Sequence, residues 1–301
     1  PRPHSVRRLR SVGIASACAS ATVVNALATG KGAAFGIELR VYAHVELGDR
    51  IRGIRGSVEG ARCDTRLIEA CVARVLKKEE QKIGARIRTT SDIPIAVGLS
   101  SSSAVANAAV LATYAALGQK PKLKKVLQAS VDAAFDAGVT LTGALDDAAA
   151  SLFGQGVITD NIRRRILKRF SVSPELRVAV WVPKKRVYTA SLARKRFSSI
   201  KNGVDVAHAL ALRGEIWQAM VLNGILYSHA LGHDPLPALE ALHCGATGAG
   251  LTGTGPAVVA VGEVDAILKI SKLWSKRGGE VILTAPARKG GRVETAWIKE
   301  S

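Results

Sequence analysis

A turn that runs directly into a helix is predicted at Pro94-Ile-Ala-Val-Gly98-Leu99-Ser100-Ser101-Ser102-Ser103-Ala104. The alanine-rich residues that follow the serines predict a helix from Ser103 to Leu117. The first N–H groups of a helix have no partner within it, and the positive end of the helix dipole lies there. Such a helix start, with hydroxyl groups beside it, can bind phosphate or help to ligate Mg²⁺.

This segment is not a Walker A loop, because the Gly-Lys-Ser/Thr ending is absent. The alternative to phosphate binding is an ordinary serine cap on the helix, which explains one serine well and four in succession poorly. We therefore predict a phosphate site here and take Ser102 as a metal-ligating hydroxyl. The predicted nucleotide-binding residues of the segment are Pro94, Gly98, Leu99, Ser100, Ser101, Ser102 and Ser103.

A second glycine-rich segment reads Ala249-Gly250-Leu251-Thr252-Gly253-Thr254-Gly255-Pro256 and precedes a β-rich run. Glycines at this spacing let the backbone approach a ligand closely or adopt positive φ angles. A plain turn explains the same residues equally well. We include Gly253 and Gly255 among the predicted nucleotide-binding residues.

Two adjacent carboxylates lie in the segment Thr142-Gly143-Ala144-Leu145-Asp146-Asp147-Ala148. Small apolar residues flank them, which favours a partly buried acidic site over a solvated run of charge. Only one of two neighbouring helical residues can face a given site, so one carboxylate is predicted to be chemical and the other structural or directed to a metal. An acidic pair that complements a helix dipole remains the alternative.

The pattern of elements divides the chain into two halves near Ser171. Residues 35–47 alternate in polarity as a strand does, and helical spacing follows in residues 64–78, 103–117 and 123–137. The second half is predicted as strand, two helices, a glycine-rich loop, strand, helix and strand, with the last two at 264–276 and 280–284. We predict an α+β protein with domains at 1–170 and 171–301, the second of them ferredoxin-like.

Composition limits the class of protein further. The 301 residues are 48% hydrophobic and 22% charged, as in a globular protein, and the net charge of +19 favours anionic partners. Four cysteines without Cys-x-x-Cys spacing indicate a reducing compartment, so a cytoplasmic location is predicted. The uncharged stretch 93–119 is long enough to span a bilayer. Its serines, glycine and alanines favour a buried helix instead, and no membrane segment is predicted.

Taken in this order, the three segments resemble the GHMP small-molecule kinases, the family of galactokinase, homoserine kinase and mevalonate kinase. The turn at 94–104 is similar to their central phosphate motif, with Ser100 where that motif usually has a second glycine. Within the family, the segments 21–37, 138–147 and 251–257 are most similar to the archaeal-type shikimate kinases. The similarity runs from about Gly13 to the last strands, and the basic arm 1–10 lies outside it.

This resemblance implies transfer of a phosphoryl group from ATP to the 3-hydroxyl of shikimate, with Mg²⁺. It also implies a cleft between an N-terminal domain like ribosomal protein S5 domain 2 and a ferredoxin-like C-terminal domain. Asp146 falls where galactokinase and mevalonate kinase carry their catalytic aspartate, and Lys31 is the candidate for the lysine of the first motif. Asp136 is the candidate for a second Mg²⁺ ligand.

Two other functions compete with this prediction. Another GHMP kinase, such as a homoserine or mevalonate kinase, would use the same motifs. A basic RNA-binding protein is suggested by the runs 163–169, 184–186 and 194–196. The two shorter runs lack the interleaved aromatic residues that a stacking platform requires. We therefore predict ATP and shikimate as partners, with no specific nucleic acid and no membrane.

Overall fold

A computed structural model describes residues 9–60, 63–140, 142–184 and 193–300, without the side chains of 9, 193–196 and 298–300. The first part of the chain forms six strands and four helices. In chain order they are β1 (Leu9–Val24), β2 (Lys31–Gly48), β3 (Ile54–Val58), α1 (Arg66–Lys78), β4 (Gly84–Ser91), α2 (Ser101–Ala116), α3 (Leu123–Asp136), α4 (Leu145–Phe153), β5 (Gly156–Asp160) and β6 (Arg165–Phe170).

The second part of the chain contributes five strands and four helices in the described residues. They are β7 (Arg177–Val182), α5 (Ala193–Arg213), α6 (Ile216–Leu231), α7 (Leu236–His243), β8 (Gly248–Leu251), β9 (Val258–Gly262), α8 (Val264–Lys276), β10 (Glu280–Thr284) and β11 (Arg292–Glu300). All of the strands and helices predicted above are present, with ends that differ by a few residues. Sequence patterns missed seven elements, namely β1, β3, β5, β6, α7, β8 and β11.

The first sheet is built on the long antiparallel hairpin of β1 and β2 and has the order β11-β1-β2-β4-β3. The start of β2 also pairs with β5, which pairs with β6. Alternation along β2 explains its two faces, since Val41, Ala43 and Val45 are fully buried while Tyr42 and His44 are exposed. The predicted strand is therefore confirmed.

Helix α2 lies buried against this sheet. Twelve of its 16 residues are buried, as its uncharged, alanine-rich sequence predicts. A Cβ atom added at Gly13 of β1 would lie 2.1 Å from the carbonyl oxygen of Ala112, so a glycine there lets helix and strand pack closely. No helix in the described ranges is long and apolar enough to cross a membrane.

The second sheet has the antiparallel order β10-β7-β9-β8. Its strands follow the β-α-β-β-α-β arrangement, with α5, α6 and α7 in the first connection and α8 in the second. The predicted ferredoxin-like unit is therefore confirmed.

The last strand lies outside the ferredoxin-like sheet. β11 pairs antiparallel with β1, from Leu9 opposite Glu300 to Ser16 opposite Arg292. The division at 170/171 remains a prediction, but it did not anticipate that the chain returns to the first sheet at its end. An exposed strand of this length carries no signal of which sheet edge it will join.

Candidate active site

A cleft of about 640 Å³ lies where the two parts of the chain meet. Its walls come from the ends of β1 and α3, the starts of α2 and α4, the turn after β8, and Phe197 and Leu231 of α5 and α6. None of the described residues that line it is Lys or Arg. Backbone amides, hydroxyl groups and two carboxylates therefore supply the polar chemistry of these walls.

The predicted phosphate turn forms one wall of the cleft. Ala96, Gly98 and Ser100 have positive φ angles of 57°, 91° and 56°, and helix α2 begins at the next residue. Gly98 and Ser100 to Ser103 line the cleft, as predicted. Leu99 is buried in the core instead, and Pro94 is outside the cleft lining. Ser100 has a left-handed backbone conformation, which glycine adopts most easily. The central phosphate motif that this turn resembles usually has a glycine at this position.

The second glycine-rich segment packs directly on this turn. A Cβ atom on Gly98 would lie 2.1 Å from the carbonyl oxygen of Thr252, so the two backbones touch only because a side chain is missing. The Thr252 hydroxyl donates to the Gly98 carbonyl at 2.9 Å. Gly253 and Gly255 line the cleft beyond it with φ angles of 55° and 75°. The two segments thus form one continuous backbone wall.

Thr22 and Asn25, at the end of β1 and just after it, hold this wall in place by hydrogen bonds. The sequence patterns did not identify them as site residues. The Thr22 hydroxyl accepts a hydrogen bond from Gly253 N–H at 2.8 Å, and the Asn25 amide donates to the Gly253 carbonyl at 2.7 Å. Asn25 N–H in turn donates to Asn223 of α6 at 2.9 Å. Asn25 lies inside a segment that carries the family resemblance, so its position there was the available signal.

Asp146 lies at the start of α4 and is 4% exposed. Its Oδ1 accepts a hydrogen bond of 2.8 Å from the side-chain amide of Asn161. Its carboxylate lies on Gly32 of β2, where a Cβ atom would be 2.3 Å from Oδ2. Burial raises the pKa of Asp146, and the bond from Asn161 opposes part of the rise. The carboxylate is thus held in one place beside the cleft.

Asp147 is half-buried on the same wall and has different partners. The Ser20 hydroxyl donates to its Oδ1 at 3.2 Å. Burial and the negative charge of Asp146 raise the pKa of Asp147 to about 7, while the hydroxyl groups of Ser100 and Ser20 act in the opposite direction. Both carboxylates line the cleft. The predicted partly buried acidic site is therefore present, but the expectation that only one of the two carboxylates would face it is wrong.

Lys31 does not reach the cleft. Successive residues of a strand point to opposite faces, so Lys31 points away from the side on which Gly32 contacts Asp146. Its ammonium group lies 2.8 Å from the carboxylate of Asp205 on α5. The structure therefore places Lys31 in an ion pair between β2 and α5 instead of among the residues that line the cleft.

Asp136 also lies away from the cleft. The cleft side of α3 presents Ser130, Val131 and Ala134, whereas Asp132 and Asp136 share another face one turn apart. On that face, Arg74 of α1 binds both carboxylates. Asp136 was predicted as a Mg²⁺ ligand only because it precedes Asp146 by a plausible distance in the sequence. Helical periodicity places its carboxylate on the face of α3 that points away from the cleft.

The basic run 163–169 is engaged within the protein. Arg164 binds Asp132 at 2.9 Å, Arg169 lies 3.9 Å above the ring of Phe153, and Lys168 donates to the carbonyl of Leu212 at 3.0 Å. Residues 185 and 186 of the second run lie outside the described residues, as do the side chains of the run 194–196. Three residues of this run thus make contacts within the protein, and the absence of a specific nucleic-acid partner stays a prediction.

Comparison with known proteins agrees with this geometry. Residues 66–155 match the family model of the GHMP kinases N-terminal domain. The chain is 43% identical over 284 residues to the shikimate kinase of Methanothrix thermoacetophila, covering 94% of this chain and 97% of that protein. It is 45% identical over 276 residues to the shikimate kinase of Methanosarcina mazei, covering 91% and 94%.

A solved structure shows the same fold at lower identity. Homoserine kinase from Cytophaga hutchinsonii matches with a TM-score of 0.70 and 19% identity, covering 94% of this chain and 97% of that one. At this identity the likeness concerns the fold alone, whereas the two relatives above are similar in sequence along nearly their whole length. The chain belongs to the GHMP kinase family and, within it, to the group of the archaeal shikimate kinases.

Proposed function

We propose that this protein transfers the γ-phosphoryl group of ATP to the 3-hydroxyl of shikimate, which gives ADP and 3-phosphoshikimate. The observation that carries the proposal is the cleft in which the start of α2 and the carboxylates of α4 face the same space. Phosphoryl transfer depends mostly on positioning and on neutralising charge, and these walls supply both. The choice of shikimate as the acceptor rests on the relatives that are named shikimate kinase.

The nucleotide phosphates would bind at the start of α2. The amides of Ser101, Ser102 and Ser103 lie in the first turn of the helix, where they have no intrahelical partner and where the dipole favours an anion. Gly253 and Gly255 line the same continuous wall without side chains of their own, so the backbone at these two residues can approach the phosphates closely. Binding through amides explains how a wall without described Lys or Arg side chains can hold a polyanion.

Asp146 would act as the general base. The attacking hydroxyl must lose its proton as its oxygen bonds to the γ-phosphorus and the bond to the β-phosphate oxygen breaks. Asp146 has one carboxylate oxygen bonded to the amide of Asn161, and burial raises its pKa, which makes it a stronger base than a free aspartate. Asp147 is the weaker candidate, because its carboxylate is directed to the hydroxyl groups of Ser20 and Ser100 at the phosphate turn, where a metal ion would be held.

The donor groups also fit Mg²⁺. This ion is commonly held by one or two carboxylates and the phosphates of the substrate, without a cage made only of protein. Among the described residues no group of three or more His, Cys, Asp or Glu could hold a metal. Ser102 and Asp147 are the residues that would hold it, and Asp136 is not. When bound, the ion would neutralise charge on the transferred group.

A coupled ADP-release assay tests the choice of acceptor. Shikimate, homoserine, mevalonate and galactose are offered in turn with ATP and Mg²⁺, and kcat/KM is compared. Shikimate should exceed each of the others by several orders of magnitude, since a site built for specific hydroxyl groups rejects analogues strongly. A higher kcat/KM for homoserine or mevalonate would replace this proposal by the second GHMP kinase activity.

The nucleotide site has its own test. Replacing Ser101 and Ser102 together by Ala removes two hydroxyl groups, each worth about 1.5 to 3 kcal/mol if it donates to a charged phosphate. ATP affinity or turnover should therefore fall at least tenfold. Ser275→Ala is a matched control, because that hydroxyl bonds only within α8. Normal affinity and rate in the double variant would remove the phosphate turn from the nucleotide site.

A cytoplasmic location forms part of the proposal. All four cysteines are free, with Cys18 and Cys71 buried in the first domain. Burial raises the pKa of both thiols to about 12, so neither is a reactive thiolate. Free, unreactive thiols suit a reducing compartment, where ATP and its small-molecule acceptor are also found.

A further inference from the structure

Asn161 is a buried polar residue that neither the sequence motifs nor the cleft lining selects. It follows β5 at the turn towards β6 and is 3% exposed. Its backbone N–H donates to the carbonyl of Gly30 at 2.8 Å, so the backbone at this turn is fixed to the residue before β2. A buried amide side chain is retained only when its polar atoms find partners.

Both ends of the Asn161 amide have partners. The Thr159 hydroxyl lies 2.6 Å from Oδ1, and the amide nitrogen lies 2.8 Å from Oδ1 of Asp146. The NH₂ group of Asn161 thus donates to Asp146, and its amide oxygen accepts from the Thr159 hydroxyl. The carbonyl of Thr159 in turn lies 3.3 Å from Nε2 of His208 on α5. The amide is thus oriented by groups on both sides.

We propose that Asn161 is a positioning residue that holds the Asp146 carboxylate in the orientation required for proton transfer. This inference rests on the proposed function, in which Asp146 is the base. Asn161 holds Oδ1 by a hydrogen bond, and Oδ2 occupies the space that the missing side chain of Gly32 leaves free, so the hydrogen bond from Asn161 sets the orientation of the carboxyl group. Asn161 itself is outside the cleft lining and acts only through Asp146.

Positioning of this kind affects the chemical step more than binding. A misplacement of about 1 Å in a reacting group can cost on the order of 10² in rate. Asn161→Ala should therefore lower kcat by ~10- to 100-fold, while the KM values for ATP and shikimate stay within about threefold. A residue that only supported the fold would lower thermal stability without this separation of kcat from KM.

A double-mutant cycle with Asp146→Asn is the decisive measurement. If Asn161 acts through Asp146, then Asn161→Ala in the Asp146→Asn background should change kcat by less than about twofold, because the group that it positions is already gone. A kcat of wild-type size in the single Asn161→Ala variant would overturn the inference. So would a loss that persists undiminished in the Asp146→Asn background.

Two further variants keep the test independent of folding. Asn161→Asp preserves the shape and the contact with Thr159 but removes the N–H donor, so its kcat should fall as in the alanine variant. Asn107→Ala is the matched control, because Asn107 is also buried and donates to α4 at the Ala148 carbonyl at 2.9 Å. It should lose stability while its kcat stays within about threefold of wild type.

An activity-independent readout separates the two proposals. The ¹³C resonance of the Asp146 carboxyl carbon, assigned by its loss in Asp146→Asn, should shift in Asn161→Ala and stay in place in Asn107→Ala. An unmoved resonance in Asn161→Ala would overturn the positioning role. If the resonance shifts in Asn161→Ala but kcat is normal in Asp146→Asn, the contact between the two residues is upheld. Asp146 is then not the base of the proposed function.

Discussion

Two pairs of aspartates on neighbouring helices occupy opposite environments. Asp146 and Asp147 begin α4 and line the cleft. Among the described residues their side chains bind uncharged groups, the amide of Asn161 and the hydroxyl of Ser20. Asp132 and Asp136 lie one turn apart on α3, and Arg74 binds both. Burial raises the pKa of both carboxylates of the first pair, and the charge of Asp146 adds to the rise at Asp147. The second pair is held in ion pairs with Arg74, and Asp132 also binds Arg164.

The difference teaches that neighbours decide the chemistry of a carboxylate more than position in the sequence does. A buried carboxylate without a cationic partner carries a free-energy cost that a substrate hydroxyl, a proton or a metal ion can relieve. A carboxylate that already has a guanidinium partner offers no such capacity. Substitutions on the two helices should therefore have very different effects.

The largest effect is expected for Asp146→Asn. The substitution keeps the shape of the side chain but removes the basic oxygen, so kcat should fall by ~10² to 10⁴, the usual contribution of a general base. KM values should change little, because the residue acts in the transition state. Single-turnover kinetics with ATP and shikimate measure the chemical step directly. Near-normal chemistry would remove Asp146 from the catalytic role.

Asp147→Asn is the matched comparison for that experiment. At saturating Mg²⁺ its kcat should fall less than that of Asp146→Asn, because Asp147 does not take the proton in the proposed mechanism. Its Mg²⁺ requirement should rise, since one of the residues proposed to hold the ion has lost its charge. If the two variants lose kcat equally, the division of labour between the two carboxylates is wrong.

Gly32→Ala should have the next largest effect. The new Cβ atom would lie 2.3 Å from Oδ2 of Asp146, so the carboxylate must move. A displaced base should cost about 10² in kcat. Gly262→Ala is the control, because its Cβ atom would meet only ordinary contacts, the nearest at 3.4 Å. A Gly32→Ala enzyme with wild-type kcat would show that the position of this carboxylate is not critical.

Sequence patterns predicted the walls of the cleft better than its interior contacts. The serine run and the glycines were found because helix starts and positive φ angles restrict which residues fit. Gly32, Asn161 and Thr22 were missed because their roles come from pairings between distant segments, and single residues in strands and turns carry no sign of those pairings. Lys31 was selected from the resemblance alone, and strand alternation directs its side chain to Asp205 and away from the side on which Gly32 meets Asp146, so its catalytic role stays a prediction.

A smaller effect, on stability, is expected for Asp147→Asn in metal-free protein. The pKa of Asp147 rises from 3.8 to about 7 in the folded state, so the folded state binds more protons than the unfolded state between these values. The free energy of unfolding should therefore fall as pH rises from about 4 to about 7. The asparagine variant should melt a few degrees higher at pH 8, and this advantage should shrink towards pH 4. Thermal melts in EDTA across this range measure it, and a constant difference would contradict the argument.

The smallest effect is expected for Asp136→Asn. The side chain of Asp136 is 53% exposed. When Asp136 is replaced, Arg74 still has the carboxylate of Asp132 as a partner, at 3.2 Å. Exposed ion pairs contribute about 0 to 1 kcal/mol and are screened by salt, so the loss of stability should be of that size and should vanish at high ionic strength. Since the carboxylate lies on the outer face of α3, kcat and the Mg²⁺ concentration at half-maximal rate should equal those of the wild type. An increased Mg²⁺ requirement would place Asp136 at the metal after all, and the contrast between the two acidic pairs would no longer hold.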